Sequence, residues 1–371
     1  MGIQIVSYAE HHVESVKALN ERLRAGGEPS QFPTQHRSTA FPPLPGRGLF
    51  QDYFLAVDGD GAARGGYILK HQDFHVGKEK VSLSDFQMPL SEGAVDRTFA
   101  GLASQLLFDA LKKEPLLLGL GMGGFGEPIA RLHKAAGFHM FSVPFFFRVL
   151  HPYRFCRRIR FLRRRWPVRL ALDGAACTGL AWIGLKGLDL VRGGRLLHEG
   201  VTIELVDAFD TWADEIWARH QGEYPMIAVR DGEVLRLLYP AEDPRFRRLL
   251  IRKSGQLIGW CVVLDTQMRD HKQFGTLRVG SLVDAFAAPT DAAAIVGAAT
   301  AYLKQCGVDL IVTNQSHSSW CRACAAAGLL CGPSNFLFSA SKALTRLLVA
   351  SDIRDDQIHV NRGDGDGPIN L

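Results

Sequence analysis

Two short stretches of the chain place small residues where a backbone could hold a phosphate. In the first, Thr98-Phe99-Ala100-Gly101-Leu102-Ala103 runs into Leu106-Leu107; in the second, Ala294-x-x-Gly297-x-Ala299 runs into Tyr302-Leu303. Glycine and alanine let an anion approach the main chain. The first amides of a helix have no acceptor within it and lie at its positive end. An anion is favoured at such a turn. Each stretch follows a short run that carries an acid, Leu83-Ser84-Asp85 and Leu282-Val283-Asp284. An aspartate beside such a site can take a proton from an incoming nucleophile. An aspartate on the outward phase of a strand is an equally ordinary surface residue.

Other pairings tempt less. Cys321-x-x-Cys324 has no second pair at zinc spacing, and two cysteines on an alanine-rich helix read as core, so no metal is expected. Gly119-x-Gly121-x-Gly123-Gly124 follows a strand but lacks an acidic ribose partner downstream, which makes it a flexible loop. His317 falls at a strand-to-helix turn with Asn314 and Ser316.

The surrounding elements repeat in order. Val81 to Phe86 alternates as a strand, residues 98–111 carry apolar side chains at helical spacing, and Leu116 to Leu120 is a short strand apolar on both faces. Glu127-Pro128 opens a helix that Gly137 caps, and Phe138 to Val149 is an aromatic strand or strand pair. The second copy runs from Leu282-Val-Asp284-Ala-Phe286 through a helix, a strand at Val308 to Val312, a helix from Ser318 capped by Gly328, and aromatic Asn335 to Phe338. The motif glycines Gly101 and Gly297 lie 196 residues apart and the capping glycines Gly137 and Gly328 lie 191 apart.

This order resembles the GNAT superfamily of acyl-CoA-dependent N-acyltransferases, whose signature is Gln or Arg, two residues, Gly, one residue, then Gly or Ala. Here Thr98 stands where the family has Gln or Arg, and the tyrosine acid that follows the family's second helix is replaced by Phe145-Phe146-Phe147, with Phe336 and Phe338 in copy two. The resemblance implies an α/β (α+β) protein of two tandem GNAT-like domains, each a mixed, mostly antiparallel sheet flanked by helices. It implies acetyl-CoA or another acyl-CoA as co-substrate over Thr98 to Ala103, with Gly297 and Ala299 doing the same in copy two. Asp85 and Asp284 would assist an amine. The activity implied is transfer of an acyl group from acyl-CoA, or a carrier-protein thioester, to a small-molecule amine. Because both leading basic positions and both tyrosines are missing, a non-catalytic tandem binding or scaffold protein is the alternative. In such domains the segment matching residues 26–48 helps form the acceptor pocket, which makes His36 and Arg37 candidate contacts. Arg230-Asp-x-x-x-Leu235-x-x-x-Tyr239 resembles, more loosely, bacterial GNAT proteins linked to polysaccharide synthesis, and points to a sugar or envelope precursor as acceptor.

With 371 residues, 47% of them hydrophobic, the chain suits two cores. The divisions expected are residues 1–150, a linker over 151–199, residues 200–350 and a mobile tail over 351–371. The net charge of +5 is mild, but Arg154, Arg157, Arg158, Arg160, Arg163, Arg164, Arg165 and Arg169 crowd one span. Phe155, Ile159, Leu162 and Trp166 would form one apolar stripe among them. A helix lying on an anionic membrane surface has this composition, and so does a helix packing its stripe on a domain. No nucleic-acid motif accompanies the charge, so nucleic acid is not expected as a partner. Val168 to Val191 is apolar but interrupted by charges, which suits an interfacial or interdomain helix. Seven cysteines, an odd number in mostly apolar surroundings, and an N-terminus without signal-peptide character suggest a cytoplasmic protein, peripheral to the inner membrane face if the arginine helix binds lipid.

Overall fold

The computed structural model describes residues 2–44, 46–178 and 199–365. Sixteen strands appear among them. In chain order they are β1 Gln4–Ser7, β2 Leu49–Val57, β3 Ala63–Val76, β4 Glu79–Ser91, β5 Leu117–Gly121, β6 His139–Ser142, β7 Phe145–Val149 and β8 Val201–Val206. After these come β9 Met226–Ala228, β10 Arg247–Lys253, β11 Gln256–Gln267, β12 Arg278–Ala287, β13 Leu310–Asn314, β14 Leu330–Gly332, β15 Leu337–Ala340 and β16 Ile358–His359. Contacts divide the chain into two compact units, Met1–Ser142 with Asn335–Arg354, and Val143–Ser334 with Asp355–Leu371.

The first unit is a mixed sheet in the order β1-β2-β3-β4-β5-β15-β6. Its strands are antiparallel except where β4 meets β5. Alternation along β3 sends Tyr67 and Leu69 to one face and Ile68 to the other. On the first face lies the helix Leu102–Lys113, which buries Leu102, Leu106, Leu107 and Ala110 at helical spacing. On the other lies Val13–Ala25, through Val16, Leu19 and Leu23. The helix Pro128–Ala135 begins on a proline whose missing N–H is no loss there, and Gly137 follows it at φ 80°.

The second unit repeats this plan as β14-β7-β13-β12-β11-β10-β8, with β12 and β13 parallel. Its helix Ala292–Gln305 is built largely from Ala, Gly and β-branched residues and is buried on almost every side. Each of the two sheets is mixed and flanked by helices, as the sequence order implies.

The aromatic strands depart from a linear division of the chain. Residues 138–149 form two strands that part company: β6 stays in the first sheet, while β7 pairs with β13 and β14 in the second. In return β15 sits between β5 and β6 of the first sheet. The contacts therefore break after Ser142, Ser334 and Arg354, and residues 335–354 return to the first unit. Apolar strands with both edges open are satisfied by whichever neighbour reaches them, and residue pattern alone does not say which.

Two further expectations change. The arginine-rich span is not one helix: Pro152–Arg158 ends as Ile159 turns extended, a 3-10 turn covers Leu162–Arg164, and Trp166–Cys177 starts anew at Pro167. The backbone is extended at Ile159 and again at Arg165, so the stripe cannot run through. Phe155 and Ile159 pack on the second unit's core with Met268, Phe274, Leu277 and Val312. Leu162 and Trp166 are exposed. Most of the expected helix over Val168 to Val191 lies outside the described residues. The tail is not free either: Ile358, His359, Val360, Asn361 and Asp364 are buried in the second unit, and β16 pairs in parallel with β9. Asn361 and Asp364 find their hydrogen-bond partners inside this unit; residues 366–371 lie outside the described ones.

Candidate functional site

In the first unit the β4–β5 ladder has only two rungs, Ser84 to Leu117 and Asp85 to Leu118. Past them the strands diverge. Asp85 stands at the vertex and is 4% exposed. One carboxylate oxygen accepts the Leu120 amide at 3.2 Å, and the other accepts Gln87 Nε2 at 2.9 Å. Divergence would leave the Leu120 N–H of a buried strand without a ladder partner, and the carboxylate supplies one. Gln87 in turn takes a bond from Gln51 Nε2 at 3.0 Å. This polar chain lies on the open side of the strand pair.

The turn that follows β4 leads to the first motif. Two 3-10 turns, Glu92–Ala94 and Arg97–Phe99, run into the helix Leu102–Lys113 with Gly101 at its N-cap. Glu92, buried, ties the turn down by accepting from Arg22 at 2.7 Å and Arg64 at 3.2 Å. The Arg64 guanidinium also lies 4.9 Å over the Phe99 ring. Gly93 is required here, since a side chain would collide with the Phe99 carbonyl. Of the expected phosphate contacts, Thr98, Ala100 and Gly101 are exposed, Ala103 is half-buried, and Phe99 and Leu102 turn into the core and can offer only backbone. Gly101 has open space beside its α-carbon. Asp96 accepts the Thr98 amide at 2.9 Å, a bond that holds its carboxyl below the usual range and sets a negative charge near this turn.

The second motif is placed differently. The helix begins at Ala292, so Gly297 and Ala299 lie in its second turn, buried, with their amides inside the helical ladder. They cannot meet a phosphate. The helix starts Leu102 and Ala292 are 190 residues apart, in step with the capping glycines and out of step with the motif glycines. The small-residue pattern in an alanine-rich helix can be read in several registers, and the sequence alone does not select one. Beside the true helix start lies a cavity of about 350 Å³ lined by Pro289, Thr290, Ala293, Ser319, Arg322 and Ala323.

Nor are the two aspartates equivalent. The β12–β13 ladder ends at Ser281 to Val312, so Asp284 sits three residues beyond the last rung. It is fully buried and accepts from Arg230 Nε at 3.0 Å, Tyr239 Oη at 2.9 Å, Asn361 Nδ2 at 2.7 Å and its neighbour's amide at 2.8 Å. Arg230 reaches on to both oxygens of Asp364 at 2.8 Å. Burial works to lower the Arg230 guanidinium, but the two carboxylates outweigh it and the group is raised. Burial first, then the Asp284 charge, raises the Tyr239 hydroxyl well above its ordinary value. With every lone pair engaged, Asp284 has no free face for substrate.

Remaining candidates are bland. His36 lies with its ring 6.4 Å from Tyr8, and Arg37 is exposed, on an irregular loop that Asn20 pins through both the amide and the carbonyl of Phe32. Burial pushes the Cys321 thiol up to about 12 and that of Cys324 well up, so neither is a ready nucleophile. Met122, Gly123 and Gly124 all take positive φ in the turn after β5. The sequence had no signal for Gln87 or the Leu120 amide. Arg230 and Tyr239 were visible as a motif; their partners Asn361 and Asp364 were hidden in a tail that looks disordered.

No family model matches the chain, and no curated protein matches it. Solved structures do. A conserved protein from Enterococcus faecalis, described as a probable N-acyltransferase, superposes with a TM-score of 0.54 at 9% identity, over 93% of this chain and 74% of its own. A GCN5-related N-acetyltransferase from Anabaena variabilis gives 0.53 at 9% identity, over 95% and 75%. Saccharomyces cerevisiae N-myristoyltransferase with bound myristoyl-CoA also gives 0.53 at 9%, over 91% and 78%. At such identities the likeness is one of fold.

Proposed function

We propose, for a chain whose GNAT-like fold is present as two tandem domains, that the first domain transfers an acyl group from acyl-CoA, or from a carrier-protein thioester, to a small-molecule amine. The observation that carries this reading is the parting of β4 and β5 at Asp85. Two diverging edges offer backbone donors and acceptors to an extended, amide-bearing arm, much as a sheet edge takes a peptide. The exposed helix start at Gly101 lies at the end of the same strand, where a pyrophosphate is favoured. The thioester carbonyl would then lie near the vertex, polarised by a strand amide. The amine nitrogen attacks that carbonyl carbon, the C–S bond breaks, and the proton lost from nitrogen passes through Asp85 to solvent while the thiolate takes one up. No tyrosine stands in β6 or β7 to protonate the thiolate. A sugar or envelope precursor is the acceptor class we carry forward.

The experiment is calorimetry with acetyl-CoA and longer acyl-CoAs, followed by turnover of Asp85→Asn. Binding in the micromolar range, with turnover lowered about a hundredfold or more in the variant and affinity unchanged, supports the reading. Absence of binding at millimolar ligand leaves the scaffold reading. That alternative has an observation of its own: both Asp85 oxygens already accept hydrogen bonds.

We also carry the membrane-surface reading of the arginine-rich span. Its support is the exposure of Tyr153, Phe161, Trp166 and Leu170 among arginines, Trp166 at 73%. Among the described residues no helix is long and apolar enough to cross a membrane. A cytoplasmic site fits the free thiols of Cys156, Cys261, Cys306, Cys321, Cys324 and Cys331.

A further inference from the structure

The second domain has the same parting of parallel strands as the first, but what lies in it is different. Beyond Ser281 and Val312 the edges of β12 and β13 would expose Asp284 on one side and Asn314, Gln315 and Ser316 on the other. Residues 358–364 span that gap. On the β13 side, Ser316 Oγ accepts the Val360 amide at 2.8 Å, the Ser316 amide donates to the Val360 carbonyl at 3.2 Å, Gln315 and Asn361 form an antiparallel bridge, and Arg362 Nε donates to Asn314 Oδ1 at 2.9 Å. On the β12 side, Asn361 Nδ2 donates to Asp284 at 2.7 Å, and Gly363 lies so close to Tyr239 and Asp284 that any side chain there would collide with Tyr239 Oη. Asp364, held by Arg230, also accepts the Asn361 amide at 2.9 Å and closes the turn. The segment makes main-chain and side-chain bonds to the β13 side and a side-chain bond to Asp284 on the β12 side, where an incoming arm would have to lie.

We infer that residues 358–364 are the resident occupant of the second domain's strand opening, so that the chain takes up acyl-CoA once, in the first domain. This rests on the acyl-transfer reading for the first domain's ligand, but the occupancy itself is independent of it. The cavity beside Thr290, Ser319 and Arg322 leaves room outside the helix start, while the route inward between β12 and β13 is taken. Asp291 at the N-cap adds a carboxylate where phosphates would approach, 3.2 Å from Lys253.

Calorimetry of acetyl-CoA with the intact chain should give one equivalent, and hydrogen exchange should show ligand protection over residues 83–121 and none over 282–326. Gly363→Val, which pries the segment from Tyr239, should speed exchange at 358–364 and admit a second, weaker equivalent with new protection over 282–326. If that variant does not fold, Asn361→Ala, which cuts the link to Asp284 and leaves Asp364 on Arg230, takes its place with the same expectation. Two equivalents on the intact chain, or protection confined to 282–326, overturns the inference. So does a variant whose segment is released yet still binds only one. If no acyl-CoA binds at all, the acyl-transfer reading fails, and ligand-free exchange decides the occupancy. Amides of Val360, Asn361 and Gly363 exchanging about a thousandfold more slowly than free peptide uphold it, and loop-like exchange overturns it.

Discussion

At the scale of single residues, like sequence surroundings lead to unlike roles. Asp85 lies at a vertex between strands, and Asp284 is locked into a buried ion network with Arg230, Tyr239 and Asn361. Asp284→Ala should therefore cost about 3 to 5 kcal/mol of stability in urea unfolding, because it leaves Arg230 with half its compensation in a fully buried site. A loss under 1 kcal/mol would mean the network is looser than its geometry. His133 gives a pH prediction. It is fully buried, donates to or accepts from Ser339 Oγ at 2.8 Å, and burial lowers it to about 4 from an ordinary 6.5. The folded protein keeps it neutral while the unfolded chain takes up a proton first as pH falls. Stability from this residue is thus full above about pH 6.5 and lost as pH drops toward 4, on the order of 3 kcal/mol in all. His133→Gln should flatten that part of the pH–stability curve, and an unchanged slope would count against it.

At the scale of elements, the arginine-rich span divides its charges between two tasks. Arg163 is bidentate to Asp173 at 2.6 and 3.0 Å and also donates to the Cys156 carbonyl, while Arg154 and Arg160 reach Asp309 and Asp270. Arg163→Gln should destabilise the fold by roughly 1 to 3 kcal/mol, visible as a lowered Tm. Arg164, Arg165 and Arg169 flank the exposed aromatic side chains. Changing these three to Gln should weaken binding to vesicles of anionic lipid by about a hundredfold at low salt and leave Tm unchanged, since each Arg near such a surface is worth on the order of 1 kcal/mol. Trp166→Ala should weaken it with less dependence on salt, because apolar contact and not charge is lost. If flotation recovers no wild-type protein at low ionic strength, the exposed side chains serve another purpose.

At the scale of the whole molecule, the exchange of β7 and β15 makes the linear halves incomplete. A fragment of residues 1–150 would keep β7 without its sheet and leave β5 without β15, whose four rungs run from Leu337–Gly121 to Ala340–Leu118. That edge is apolar and unprotected. The fragment should be insoluble, whereas residues 2–142 joined by a flexible linker to 335–354 should be soluble and cooperative in urea. Equal solubility of the two would show that β15 adds little to the first sheet.

Local pattern determined most of the elements. The 3.6-residue spacing of Leu102, Leu106 and Leu107, Pro128 opening a helix, Gly137 and Gly328 closing two, and the apolar runs at Leu117 and Leu310 depend on short-range sterics and burial, which a sequence carries on its face. The doubled strand-helix-strand order followed from them, and with it the fold. Which sheet receives Phe145–Val149 or Leu337–Ala340 was decided only in three dimensions, because an aromatic strand is equally apolar toward either edge. The same holds for Gly297, whose place in its helix depends on where the chain enters from β12, and for Asp284, whose partners arrive from 54 and 77 residues away. A glycine- and aspartate-rich tail reads as solvated until Arg230 is seen to need Asp364: a buried charge is compensated by whatever the whole fold brings to it, and no local pattern records that choice.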